Sequence, residues 1–118
     1  MDHAGSDLRL ARLAAADESI RREQVCFHAQ QATEKAIKAV LLSRQTAFPL
    51  THDIEELLRL AEESGLSLPE PVRQAGVLTP YAVETRYPGS WMEITRVDID
   101  EALHLAQQTI SWAEQLVQ

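Results

Sequence analysis

Four polar side chains, His28, Gln31, Lys35 and Lys38, recur three and four residues apart in CFHAQQATEKAIKAVLLSRQ, an interval that brings side chains into line on one helix face. Such a row could move a proton and hold a phosphate, as a polar seam against a neighbouring helix or a ligand. It could equally be a solvated face, since Glu34 and Lys38 stand at the i,i+4 spacing of an ion pair worth about 0.2–0.5 kcal/mol. His52 lies in THD, just before an apolar helical pattern. The free N–H groups and dipole of a helix start favour an anion or a capping carboxylate there. Asp53 can do the capping, which leaves His52 as either a local hydrogen-bonding group or a site residue. A third set, Tyr81, Glu84, Arg86 and Tyr87, crowds toward the Pro88-Gly89 break. Arg86 could complement the negative end of its own helix. Alternatively, its planar fork could hold a phosphate or carboxylate in a cleft.

Other chemistries find little footing. His3 and His104 have no neighbouring ligand pattern and Cys26 is the single cysteine, so neither a cysteine-rich zinc site nor an intramolecular disulfide is available, and no metal is expected. Phosphate-cradling loops, nucleophile elbows and dinucleotide-binding glycine fingerprints are missing from the sequence, and no cofactor is expected.

The elements that must position these residues read as helices. Apolar residues from Leu8 to Ala15 predict a first helix over 6–20, with Ser6 or Asp7 as N-cap. The second, over 22–44, carries a stripe of Cys26, Ala29, Thr33, Ala36 and Val40, small enough to let a neighbouring helix approach closely. A third spans 53–64, with Asp53 and Glu56 spaced as a capping box and Gly65 as its stop. Pro71 suits a first helical turn, and 72–85 reads as a helix broken at Gly76 and at Thr79-Pro80. The last helix spans 98–117, with Asp98 and Glu101 as its capping box. No segment alternates with the period of a strand. The expected fold is all-α, a four-helix up-and-down bundle with a broken additional helical segment before the last helix.

Composition narrows the function classes. A chain of 118 residues is expected to be one domain over 1–118, with any site built from packed elements or at a subunit interface. The formal net charge of −7 repels phosphate backbones and opposes nonspecific nucleic-acid binding. MDHAGSDLRL lacks the basic and apolar regions of a signal peptide, and no apolar run approaches membrane-spanning length. A cytoplasmic protein without membrane association is expected.

CFHAQQATEKAIKAVLLSRQ, FPLTHDIEELL, YAVETRYPG and DIDEALHLAQQTISWAEQL, in that order, resemble the HEPN family, the higher eukaryotes and prokaryotes nucleotide-binding domain, in its small stand-alone prokaryotic form. The resemblance covers about 7–117. It implies a four-helix bundle, often a homodimer, frequently encoded beside a minimal nucleotidyltransferase. Many members are ribonucleases of toxin–antitoxin or defence systems, with an arginine followed after four to six residues by a histidine. That pairing suits metal-free RNA cleavage, in which histidine transfers protons and arginine stabilises the phosphorane.

Arg86 falls on the arginine of that motif, but Trp91, Met92 and Glu93 stand where the histidine belongs. Arg21 and Arg22 also precede His28 at motif-like intervals, which helical geometry makes a chance match. The resemblance therefore implies a binding module for a nucleotide or a nucleotidyltransferase partner. His28, Gln31, Lys35, Lys38, His52, Tyr81, Glu84, Arg86 and Tyr87 are the candidate contacts. One alternative is a divergent ribonuclease with Arg86 stabilising charge and Tyr87, His28 or His52 replacing the missing base. Another is a structural homodimer with Trp91 and Trp112 at its interface.

Overall fold

The computed structural model describes residues 2–82 and 94–117. Five α-helices follow in order: α1 (Asp2–Ala15), α2 (Arg22–Ser43), α3 (Ile54–Glu63), the single turn α4 (Glu70–Arg73) and α5 (Arg96–Leu116), with a 3-10 helix over Gln74–Ala82 between the last two. The described residues contain no strand. This is the expected all-helical bundle, with its broken segment ahead of the last helix.

The central helix is α2. Its stripe of Cys26, Ala29, Thr33, Ala36 and Val40 is fully buried together with Ala32, Ile37 and Leu41. On one side α1 lays Ala4, Leu8, Ala11 and Ala14 against it, and on the other α5 contributes Ile99, Ala102, Leu105, Ala106 and Ala113. Alanine on facing helices keeps the axes close, so backbone packing does the work that large side chains do elsewhere. Two buried threonines return their hydroxyls to the helix: Thr33 donates to the Ala29 carbonyl at 2.9 Å and Thr109 to the Leu105 carbonyl at 2.8 Å, so neither hydroxyl is left unpaired. Helices α1 and α2 run antiparallel, since Asp7 meets Lys35 while Ala14 and Val25 share a cleft at the other end. Helix α5 starts from that same end, where Arg22 donates to the Ile94 carbonyl at 2.9 Å and Arg96 to the Ala15 carbonyl at 3.0 Å.

Helix boundaries differ from expectation for reasons the hydrogen bonds show. Helix α1 begins at Asp2, ahead of Ser6 and Asp7, because its buried stripe already starts at Ala4; Asp7 then lies inside the helix and turns its carboxylate to α2. It ends early because Asp17 accepts from both the backbone N–H and the hydroxyl of Ser19, at 2.9 and 2.7 Å, a side-chain turn that competes with helix. Asp53 caps α3 by accepting from the Glu55 N–H at 3.0 Å, but Glu56 closes no box with it. The N–H that such a box would use is already donated to the Thr51 hydroxyl at 3.0 Å. Thr79, from the 3-10 helix, supplies the second cap by accepting from the Ile54 N–H at 3.1 Å.

Gly65 ends α3 as expected. With φ of +102° it allows its own N–H to reach the Glu62 carbonyl and that of Leu66 to reach Ala61, a Schellman arrangement. The capping box of α5 lies three residues earlier than expected. Thr95 accepts from the Asp98 N–H at 3.2 Å, and Asp98 accepts from the Thr95 N–H at 2.8 Å. Asp98 is thus the third helical residue and not the cap.

Candidate functional site

A histidine, a lysine and a glutamine meet at one carboxylate on the flank of α2. Glu34 is 4% exposed, a burial that an ionised carboxylate tolerates when donors replace the lost water. Three donors are in place. Lys38 donates from Nζ to Oε2 at 2.8 Å, Gln30 donates from Nε2 to Oε1 at 3.0 Å, and His52 places Nδ1 2.8 Å from Oε1. Gln31 in turn donates to the Gln30 Oε1 at 2.7 Å, so the fully buried Gln30 amide is satisfied from both ends. Burial pushes the Glu34 carboxyl up, but the hydrogen bonds from Lys38, Gln30 and His52 and the charge of Lys38 outweigh it and hold the group below the ordinary glutamate value. Lys38 also lies over the Phe48 ring, 5.8 Å from its centroid, which ties the connector between α2 and α3 to the same cluster.

His52 reaches Glu34 from that connector, one residue before the α3 cap. Since a carboxylate accepts, Nδ1 is the protonated nitrogen of this hydrogen bond, and in the neutral ring Nε2 then carries the lone pair. The His52 side chain is 66% exposed, and its Nε2 has no partner among the described residues.

A second cluster joins α1 to α2. Lys35 donates to Asp7 Oδ2 at 2.6 Å, and His28 Nδ1 lies 3.5 Å from Asp7 Oδ1. That nitrogen is buried and makes no hydrogen bond: the separation satisfies an ion-pair distance only, so Asp7 is a charge neighbour of His28 and not its acceptor. The ring packs edge-on against Phe27, with centroids 5.3 Å apart.

The row of four expected on α2 is therefore divided. At about 100° per residue, His28 and Lys35 lie close in azimuth, while Gln31 and Lys38 sit roughly 60° further round. The first pair turns to α1, while Lys38 bonds Glu34 and Gln31 bonds the Gln30 amide beside it. Of the remaining candidates, Tyr81 is partly buried against the core, and Glu84, Arg86 and Tyr87 lie outside the described residues, as does Trp91. Trp112, considered above for an interface, is a core residue at 7% exposure. Arg22 and His28, the chance match, point to different elements, one to the Ile94 carbonyl and the other toward Asp7.

Three residues take part in roles that were not foreseen: Asp7, expected only as an N-cap; Gln30; and Glu34, expected only as the partner of Lys38 on a solvated face. A signal for two of them was present. Gln30 falls in register with Cys26, Thr33 and Ile37 on the core face of α2, where an amide needs a buried partner, and Glu34 one turn later is in reach. Asp7 had no such signal, because its partner depends on the angle between α1 and α2.

The described residues thus form a small α-domain whose central helix buries a carboxylate and an amide beside a connector histidine. The HEPN domain model matches residues 1–116, and the chain belongs to that family. Searches of curated proteins and of solved structures each found no match. No described helix is long and apolar enough to cross a membrane.

Proposed function

We infer that this chain is a HEPN binding module that contacts a partner nucleotidyltransferase domain or its nucleotide, within a toxin–antitoxin or defence-type system of the cytoplasm. The observation that carries this reading is how the cations of α2 are used. Lys38 is held by Glu34 and Lys35 by Asp7, so neither presents an uncommitted charge to a phosphate backbone. Together with a net charge of −7, this favours a partner protein with a basic surface over RNA. Exposed leucines at Leu10, Leu13, Leu42 and Leu50 supply apolar contact area of the kind that a protein partner, or a second copy in a homodimer, can cover.

Affinity capture tests this directly. The tagged chain is co-expressed with the minimal nucleotidyltransferase of its own gene neighbourhood, and a stoichiometric complex is expected. The purified chain is also incubated with end-labelled RNA, beside Arg86→Ala shown to be helical by circular dichroism. Cleavage by the parent and not by Arg86→Ala would replace the binding reading with that of a divergent ribonuclease.

A further inference from the structure

We propose that His52 is a nucleophilic histidine, a site that accepts a phosphoryl group on Nε2 from a small phosphoryl donor. The site needs no partner chain and no nucleotide. Three features distinguish its ring from the others in the chain. Its Nδ1 is anchored 2.8 Å from a buried carboxylate, its side chain is 66% exposed, and its Nε2 has no partner among the described residues. His28 has the reverse arrangement, with a side chain 25% exposed and a buried Nδ1 that makes no hydrogen bond. His3 and His104 are exposed, but neither has a carboxylate within hydrogen-bond or ion-pair distance among the described residues.

The chemistry follows from that anchoring. A neutral imidazole protonated on Nδ1 attacks through the Nε2 lone pair, and the ring becomes positive as the new bond forms. A carboxylate on the Nδ1 proton stabilises that charge and fixes the ring's direction. With phosphoramidate as donor, the Nε2–P bond forms as the donor's P–N bond breaks, and ammonia leaves with the electron pair. The Nδ1 proton stays on the ring, hydrogen-bonded to Glu34. The surroundings admit an anionic donor because Lys38 sits on the other oxygen of the same carboxylate, at 2.8 Å. Glu34 and Lys38 cancel, and an incoming phosphoryl group meets a neutral cluster rather than a bare negative charge. The Asp53 carboxylate is nearby in sequence but is engaged by the Glu55 N–H at the start of α3.

The four histidines of one chain provide their own controls. The intact protein is treated with phosphoramidate at neutral pH, and the phosphorylated residue is located by tandem mass spectrometry and its isomer by phosphorus NMR. Modification of His52 on Nε2 is expected about tenfold faster than of His3 or His104, which is about 1.4 kcal/mol in barrier. His52→Asn should leave the helical spectrum unchanged and remove the fast phase. Glu34→Gln should slow His52 severalfold while His3 and His104 keep their rates. Equal rates at the exposed histidines, or phosphorylation of His52 on Nδ1, would overturn the proposal. An unchanged His52 rate in folded Glu34→Gln would overturn it too. If Glu34→Gln does not fold, the comparison among histidines in the parent chain decides.

Discussion

Lys38→Met isolates the charge at the centre of the cluster. Methionine keeps most of the aliphatic stem and can still lie against Phe48, but it removes the ammonium from Glu34. Breaking a buried ion pair from one side costs about 3–5 kcal/mol, and a buried acceptor short of one donor about 1–3 kcal/mol. Two observations place this case low in that span. The Lys38 side chain is 22% exposed, so the pair is partly screened, and Gln30 and His52 still donate to the carboxylate. A loss of about 2 kcal/mol at neutral pH follows, or roughly 8 °C in Tm for a chain of this length.

The sign of the pH dependence separates charge from packing. In the parent chain the folded Glu34 group titrates below its ordinary value of 4.5. Its stabilising contribution is therefore complete above that value and is lost as pH falls through the lower folded value. In Lys38→Met the largest opposing influence on burial is gone, so the folded value rises. Protonating Glu34 then removes the penalty that the variant suffers. The stability gap should be about 2 kcal/mol near pH 7 and should shrink toward zero near pH 3. Urea titrations followed by far-UV circular dichroism at both pH values measure it, and the other carboxylates cancel in the difference. A gap that stays constant across this range, or is under about 0.5 kcal/mol at neutral pH, would refute the electrostatic account.

Replacing both partners, in Glu34→Met with Lys38→Met, should restore stability to within about 1 kcal/mol of the parent, because no unpaired charge is left in the core; a double variant less stable than Lys38→Met, by the same urea titration, would contradict this. Thr95→Ala removes the hydroxyl that accepts from the Asp98 N–H, while the Thr95 N–H can still donate to the Asp98 carboxylate, and should cost about 1 kcal/mol, read as a Tm fall of roughly 4 °C. Gly65→Ala places a side chain at φ of +102° and should cost about 1–2 kcal/mol, whereas Ser67→Ala in the following connector, exposed in the structure, should be near neutral in the same melt.

Helix positions were legible where a short-range rule decides them. The α2 stripe and the Gly65 stop depend on periodicity and on a positive φ, both properties of neighbouring residues, whereas the break expected at Thr79-Pro80 is not seen, the 3-10 helix running from Gln74 to Ala82 through Pro80. Caps were read less well because each has a competitor. Asp53 could not use Glu56 once Thr51 had taken its N–H, and Asp98 served Thr95 instead of leading its own box. The site was the least legible part. His52 and Glu34 are 18 residues apart and Asp7 and Lys35 are 28 apart; both meetings depend on how α2 packs, which no local pattern encodes. Lys38 was placed correctly on Glu34, but as a solvated surface pair, because spacing does not report burial.

That burial changes what the pair is for. A surface Glu–Lys pair contributes little and leaves both side chains free. At 4% exposure Glu34 instead gathers donors from α2 and from the connector, and packed hydrophobic residues could replace the charge pair at similar stability. What such a replacement could not reproduce is direction. The His52 ring is held by one hydrogen bond to a carboxylate that Lys38 and Gln30 prevent from turning, so its outward nitrogen is presented at a defined angle on an otherwise exposed connector. The cluster therefore contributes orientation at little net gain in stability, which is the balance expected of a contact surface or a reactive group rather than of a structural brace.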